Sequence, residues 1–249
     1  PPWPLRSDDS KAIWIRRARE QIMIVLFGKN GTPIAPHSVI GSINTFGFSY
    51  NKTVKDIINR SQNVMTRRVF FENVGQLMPN FKMTRSGPFK GVEYLPNGTV
   101  SDPNGQIAAC WTQIGNDALR LKNYLLQQGI GNYFRSLVDI SSPSRSIIVS
   151  DLWNMFKKLI PVCMGDATFG LVAASKVLFA IFPEAALPVD NVQWKKLFKT
   201  IDYGDIVSLM ADEIIAWEGQ TGQHLDSCDP ASQLTLPAIY NVMAMKARP

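Results

Sequence analysis

The stretch from Ser175 to Asn191 constrains this chain more than any other. Residues Val177 to Phe182 are wholly apolar, Pro183 stops the helix they imply, and Pro188-Val189 then leads into Asp190. An apolar helix must bury its surface inside a domain. The carboxylate that follows therefore stands at the mouth of a helical core, directly ahead of the basic run Trp194-Lys195-Lys196-Leu197-Phe198-Lys199.

The rest of the chain reads mainly as helix. Apolar periodicity with capping residues predicts a helix from Ser10 to Phe27, then three more between Pro36 and Met78, capped by Ser38, Thr53 and Thr66 and stopped by Pro79. Residues 80–107 have a different texture. Alternating apolar and polar residues between the turn signals Pro96-Asn97-Gly98 and Asp102-Pro103-Asn104-Gly105 predict a small β-hairpin insert. Beyond it, helices are expected from Asp117 to Gln128 with Asn116 as cap, from Asn132 to Val138, and from Ser142 to Leu159, where Pro161 ends the element. Further helices follow from Ala167 to Ile181, Asp190 to Lys199 and Asp205 to Gly219, with a last one capped by Thr235. The expected fold class is mainly α, a helical bundle with one small β-hairpin insert. Residues 1–107 and 108–249 are its two regions, read as one unit.

Charge narrows the partners. The chain of 249 residues carries a net charge of +6, but residues 1–125 hold 16 Lys and Arg against 8 Asp and Glu, and residues 126–249 hold 10 against 12. A basic half of this kind suggests a polyanion, most often nucleic acid. Arg67, Arg68, Lys195, Lys196 and Lys199 are candidate phosphate contacts. Gly129-Ile130-Gly131 lies between two apolar helices, where backbone N–H groups at a helix start hold a phosphate, or where glycine merely ends a helix. Asp202 to Asp229 contains seven acids and no Lys or Arg, which reads as a solvated face turned away from nucleic acid, with a metal site or a DNA-mimicking face as the alternatives.

Several classes have no motif behind them. There is no nucleophile elbow, P-loop or HExxH, and His37 and His224 have no partner at useful spacing. Cys110, Cys163 and Cys228 lie far apart without a CxxC, so reduced thiols, a cytoplasmic setting, no metal and no cofactor are expected. The apolar runs are too short to span a bilayer, and the N-terminal residues show no signal-peptide pattern.

An apolar helix, a proline-containing turn and then Leu187-Pro188-Val189-Asp190 at a new helix start resemble the core of the helix-hairpin-helix DNA glycosylase superfamily. The resemblance covers about 30 residues, from Ala173-Ala174-Ser175-Lys176-Val177-Leu178 onward. It implies a glycosylase-like bundle acting on double-stranded DNA, with Asp190 as the catalytic acid that stabilises an oxocarbenium-like sugar or activates water. The family hairpin belongs roughly twenty residues before that aspartate, where this chain has Gly165 to Gly170. The position of the family's Schiff-base lysine is Leu171, and Lys176 lies further along the helix, which implies hydrolysis without a lyase step. Base extrusion needs aromatic or apolar walls, for which Phe46, Phe48, Tyr50, Trp111 and Trp194 are candidates, and Asn191 beside the acid is a candidate to bond a sugar, phosphate or base. The N-terminal 165 residues do not resemble housekeeping repair members, which suggests an unusual target base, such as a hypermodified phage base met in antiviral defence. Two other classes stay open: a non-catalytic, nucleocapsid-like nucleic-acid-binding protein, and a protein-interaction module.

Overall fold

The apolar run before Pro183 becomes the centre of the fold because it has no face to offer water. The computed structural model describes residues 24–61, 65–127, 135, 137–139, 141–164, 170–231 and 233–247, with the side chains of residues 48, 49 and 142 excepted. In chain order these form α1 (Pro36–Phe46), α2 (Phe48–Ser61), α3 (Arg67–Asn80), β1 (Glu93–Tyr94), β2 (Val100–Ser101), α4 (Gln106–Gln127), α5 (Ser142–Met164), α6 (Gly170–Ile181), a π-helical segment (Gln193–Phe198), α7 (Tyr203–Thr221), a 3-10 turn (Leu225–Cys228) and α8 (Leu236–Lys246). The molecule is mainly helical, with a two-strand antiparallel hairpin. Every residue of α6 except Leu171 is buried, and the helix packs against α5, α3 and α2. One continuous apolar cluster reaches from Val25 through α6 to Ala244. No helix among the described residues is long and apolar enough to cross a membrane.

Close contacts fix how the elements meet. A Cβ on Gly170 would stand 2.5 Å from Met164 Cγ and 3.0 Å from the Ile160 carbonyl oxygen, so the start of α6 sits on the last turn of α5 only because residue 170 has no side chain. The hairpin pairs Glu93 with Ser101 and Tyr94 with Val100. Val100 presses against α3 at Gly75, where a Cβ would lie 2.5 Å from its methyl carbon.

Several boundaries differ from those expected. Residues 24–27 are not helical: the Val25 and Leu26 N–H groups donate to Glu213, and Phe27 bridges Pro33, while the predicted helix before residue 24 lies outside the described residues. Thr66 and Thr235 cap α3 and α8 as expected, accepting from Val69 N–H and Ala238 N–H. Ser38 and Thr53 lie inside α1 and α2, because Pro36 starts α1 and the corner at Gly47 starts α2 one turn before Thr53. Asn116 caps nothing. Helix α4 begins ten residues earlier, where the Asp102 carboxylate accepts from the N–H groups of Gln106, Ile107 and Ala108, and it runs unbroken past Asn116. Pro79 and Pro161 lie inside the last turns of α3 and α5, which run on past them to Asn80 and Met164, each helix losing the one N–H bond its proline cannot make. Helix α7 starts at Tyr203, ahead of the expected start at Asp205, with Asp202 as its cap. Of the helix predicted over Asn132–Val138, only Arg135, Leu137 and Val138 are among the described residues; Arg135 is in 3-10 conformation, and its carbonyl accepts from Val138 N–H and Asp139 N–H.

Candidate functional site at Asp190

The segment that delivers Asp190 is an irregular run held as firmly as a helix. Residues 181–189 are all buried. Buried backbone polar groups need partners, and side chains from three helices and from one helix cap supply them here. Asn73 of α3 donates to the Ala180 carbonyl at 2.9 Å, and Thr235, the cap of α8, donates to the Pro183 carbonyl. Tyr203 of α7 both accepts from Leu187 N–H at 2.8 Å and donates to the Leu187 carbonyl at 2.9 Å. Ser175 of α6 accepts from Val189 N–H at 3.0 Å and donates to the Val189 carbonyl at 3.2 Å. Lys122 of α4 meets the Glu184 carboxylate at 2.6 Å.

Asp190 is half-buried and starts the helix over 191–198. Its Oδ1 accepts from Gln193 N–H at 2.9 Å, and its own N–H donates to Gln193 Oε1 at 2.7 Å, a reciprocal capping box. Carboxylates are favoured at such a position because the first N–H groups of a helix point at them. From Gln193 the turns widen to π geometry, which ends at Lys199 in the left-handed region at φ 53. Lys195, Lys196 and Lys199 are exposed, while Trp194, Leu197 and Phe198 point inward.

The aromatic candidates separate. Tyr50 is half-buried on α2, set edge-on to Phe46 at 4.9 Å and to Phe81 at 5.9 Å between ring centroids. Its hydroxyl accepts from Asn241 Nδ2 at 2.9 Å, and burial, only partly offset by that bond, pushes its phenol well above the ordinary range. Trp194 belongs to the core stack with Phe156 and Tyr203, its indole N–H buried without an acceptor among the described residues. Trp111 packs on Phe70 at 5.2 Å between α3 and α4. Asn191 is half-buried, the residue next to Asp190. The Phe48 side chain, Gly129 and Gly131 lie outside the described residues.

Arg67 and Arg68 project from the first turn of α3, Arg67 over the Phe71 ring at 4.8 Å and Arg68 paired with Glu72 at 2.7 Å. Lys176 is buried, with its ammonium 4.4 Å above the Phe81 ring and 3.5 Å from Met83 Sδ.

Compared with protein-family models, with curated proteins and with solved structures, the chain matches none.

The acidic stretch is not the solvated face expected of it. Glu213 is buried and accepts from Val25 N–H, Leu26 N–H and Tyr240. Asp229 is buried and accepts from the N–H groups of Ala231, Gln233 and Leu234. Glu218, His224 and Asp226 bring ligand atoms within 4.8 Å of one another, but the Arg135 guanidinium already contacts Glu218 and Asp226 at 2.8 Å each.

Two open clefts lie elsewhere. One of about 410 Å³, between α5 and α7, is lined by Arg145, Trp153, Asp202 and Asp205; another of about 560 Å³, between the hairpin and α2–α3, is lined by Lys52, Asn80 and Tyr94. Neither includes Asp190.

Sequence reasoning missed Gln193 and Asn241. The Asp-x-x-Gln spacing of a capping box carried the signal for Gln193; no local pattern pointed to Asn241.

Proposed function

We propose that this protein is a monofunctional DNA glycosylase that hydrolyses the N-glycosidic bond of a modified or damaged base, with Asp190 as the catalytic acid. One observation carries the reading: a half-buried carboxylate stands at the end of a rigidly anchored buried segment and at the start of a helix that exposes Lys195, Lys196 and Lys199. A rigid approach suits a group that must meet charge as it develops on a sugar, because preorganised charge needs no rearrangement during the reaction. The lysines one to two turns further along suit the phosphates that flank an extruded nucleotide.

A further feature supports it. Lys176 packs on Phe81 and Met83, so it is not presented as a nucleophile for a lyase step. Tyr50, with Phe46 and Phe81 beside it, is the aromatic wall that the hydrogen-bond chain through Asn241 and Gln193 ties to Asp190.

The test is base release from a panel of uracil-containing, alkylated, oxidised and hypermodified duplexes, read as alkali-labile strand breaks. Release that disappears in Asp190→Asn while duplex binding persists is the expected result. Binding without abasic product on every substrate overturns the reading in favour of a non-catalytic nucleic-acid-binding protein.

A further inference from the structure

The capping box at Asp190 does not end at Gln193. Gln193 is fully buried, and its side-chain amide has two sides in use: Oε1 accepts from Asp190 N–H at 2.7 Å, and Nε2 donates to Asn241 Oδ1 at 3.5 Å. Asn241 of α8 is also buried, and its Nδ2 donates to the Tyr50 hydroxyl at 2.9 Å. An amide donates at one end and accepts at the other, so each bond fixes the direction of the next. The polarity runs one way. Asn241 spends its donor on Tyr50, which leaves its oxygen for Gln193; Gln193 spends its donor on Asn241, which leaves its oxygen for Asp190.

The Tyr50 hydroxyl receives the bond from Asn241 beside the Phe46 and Phe81 rings, so the chain that starts at Asp190 ends on α2.

We infer that Gln193 and Asn241 are positioning residues that tie the Asp190 backbone to the Tyr50 hydroxyl of α2 through α8, so that the carboxylate that meets the sugar is held in register by α2 and α8 as well as by its own helix. The functional half of this rests on the glycosylase reading; the coupling between Asn241 and Asp190 does not. Capping alone would need only Gln193 Oε1, and a buried apolar residue at 241 would serve the core as well.

The experiment compares Asn241→Leu, Gln193→Glu and wild type by amide hydrogen exchange and by single-turnover base release. Gln193→Glu keeps the acceptor that the capping box needs and removes the donor to Asn241. Exchange at the Asp190 amide is expected to rise about fivefold in both variants, the equivalent of one hydrogen bond, with α6 amides unchanged. Base release is expected to slow about tenfold at unaltered duplex affinity, a loss of about 1.4 kcal/mol in the transition state alone. Faster exchange in a protein whose wild type releases no base keeps the coupling and rejects the glycosylase reading. Unchanged exchange at Asp190 in Gln193→Glu overturns the inference whatever the activity, and that variant decides the matter should Asn241→Leu fail to fold.

Discussion

The Lys122 ammonium lies 2.6 Å from the Glu184 carboxylate, with 1% and 0% of the two side chains exposed. The two residues are 62 positions apart. Their contact joins α4 to the segment that leads to Asp190, in a place where neither charge has water to fall back on.

Removing one partner should therefore harm the protein far more than removing both. Glu184→Leu leaves a buried ammonium short of its counter-ion and is expected to lower stability by about 3–5 kcal/mol, whereas Lys122→Leu with Glu184→Leu recovers most of that loss. Urea unfolding of the three variants checks it.

Gly170→Ala places a methyl against the Met164 side chain and the Ile160 carbonyl, one of which is backbone and cannot turn aside. A loss of about 1–3 kcal/mol is expected. Gly41 on the exposed face of α1 has nothing within 4 Å of such a methyl, and Gly41→Ala should stabilise by roughly 0.5–1 kcal/mol. Opposite shifts in Tm would bear out the crossing of α5 and α6.

Two acids of α7 should give opposite pH dependences. Burial raises the Glu213 carboxyl above 4.5, against the bonds from Tyr240, Leu26 and Val25 that favour its ionised form. The native state then binds the extra proton, so this contribution is complete below 4.5 and is lost as pH rises through the native value. For Glu218, burial pushes upward but the Arg135 fork, together with Leu225 N–H and His224, outweighs it, and the carboxyl falls below 4.5. Its contribution is complete above 4.5 and is lost as pH falls through the lower native value. Glu213→Gln should remove the first slope and Arg135→Gln the second, in urea midpoints measured across acid to neutral pH.

Lys199 separates charge from backbone. At φ 53 it occupies a conformation that glycine adopts more readily, so Lys199→Gly should stabilise the protein by up to about 1 kcal/mol while weakening duplex binding. Lys196→Ala should weaken binding without any gain in stability. If each lysine contacts one phosphate, each variant lowers the slope of log affinity against log salt by about 0.9. Fluorescence anisotropy across a salt series, beside thermal melts, distinguishes the two effects.

The sequence was legible where structure is local. Thr66 and Thr235 announce their helices because a hydroxyl needs only an N–H three residues on, and the Pro96-Asn97-Gly98 turn announces the hairpin for the same reason. Asp190 as a helix start was visible in the same way. Asn116 misled because a good capping residue is also tolerated on an exposed helix face, and the true start of α4 was set by Asp102. The acids of α7 misled because composition counts charges and not their partners: Glu213 meets Val25 across 188 positions. Asn241 could not be found at all, since its partner Tyr50 is 191 residues away and nothing in either neighbourhood marks the pair.

The widened turn from Gln193 to Phe198 makes the basic face depend on a count of residues as well as on their kind. Each α-helical residue advances about 100° around its axis. Shortening this segment by a single residue would let it tighten to ordinary helix and swing Lys195 and Lys196 around from their present direction, with every lysine still in place. A single deletion here would thus remove the basic surface while keeping its composition.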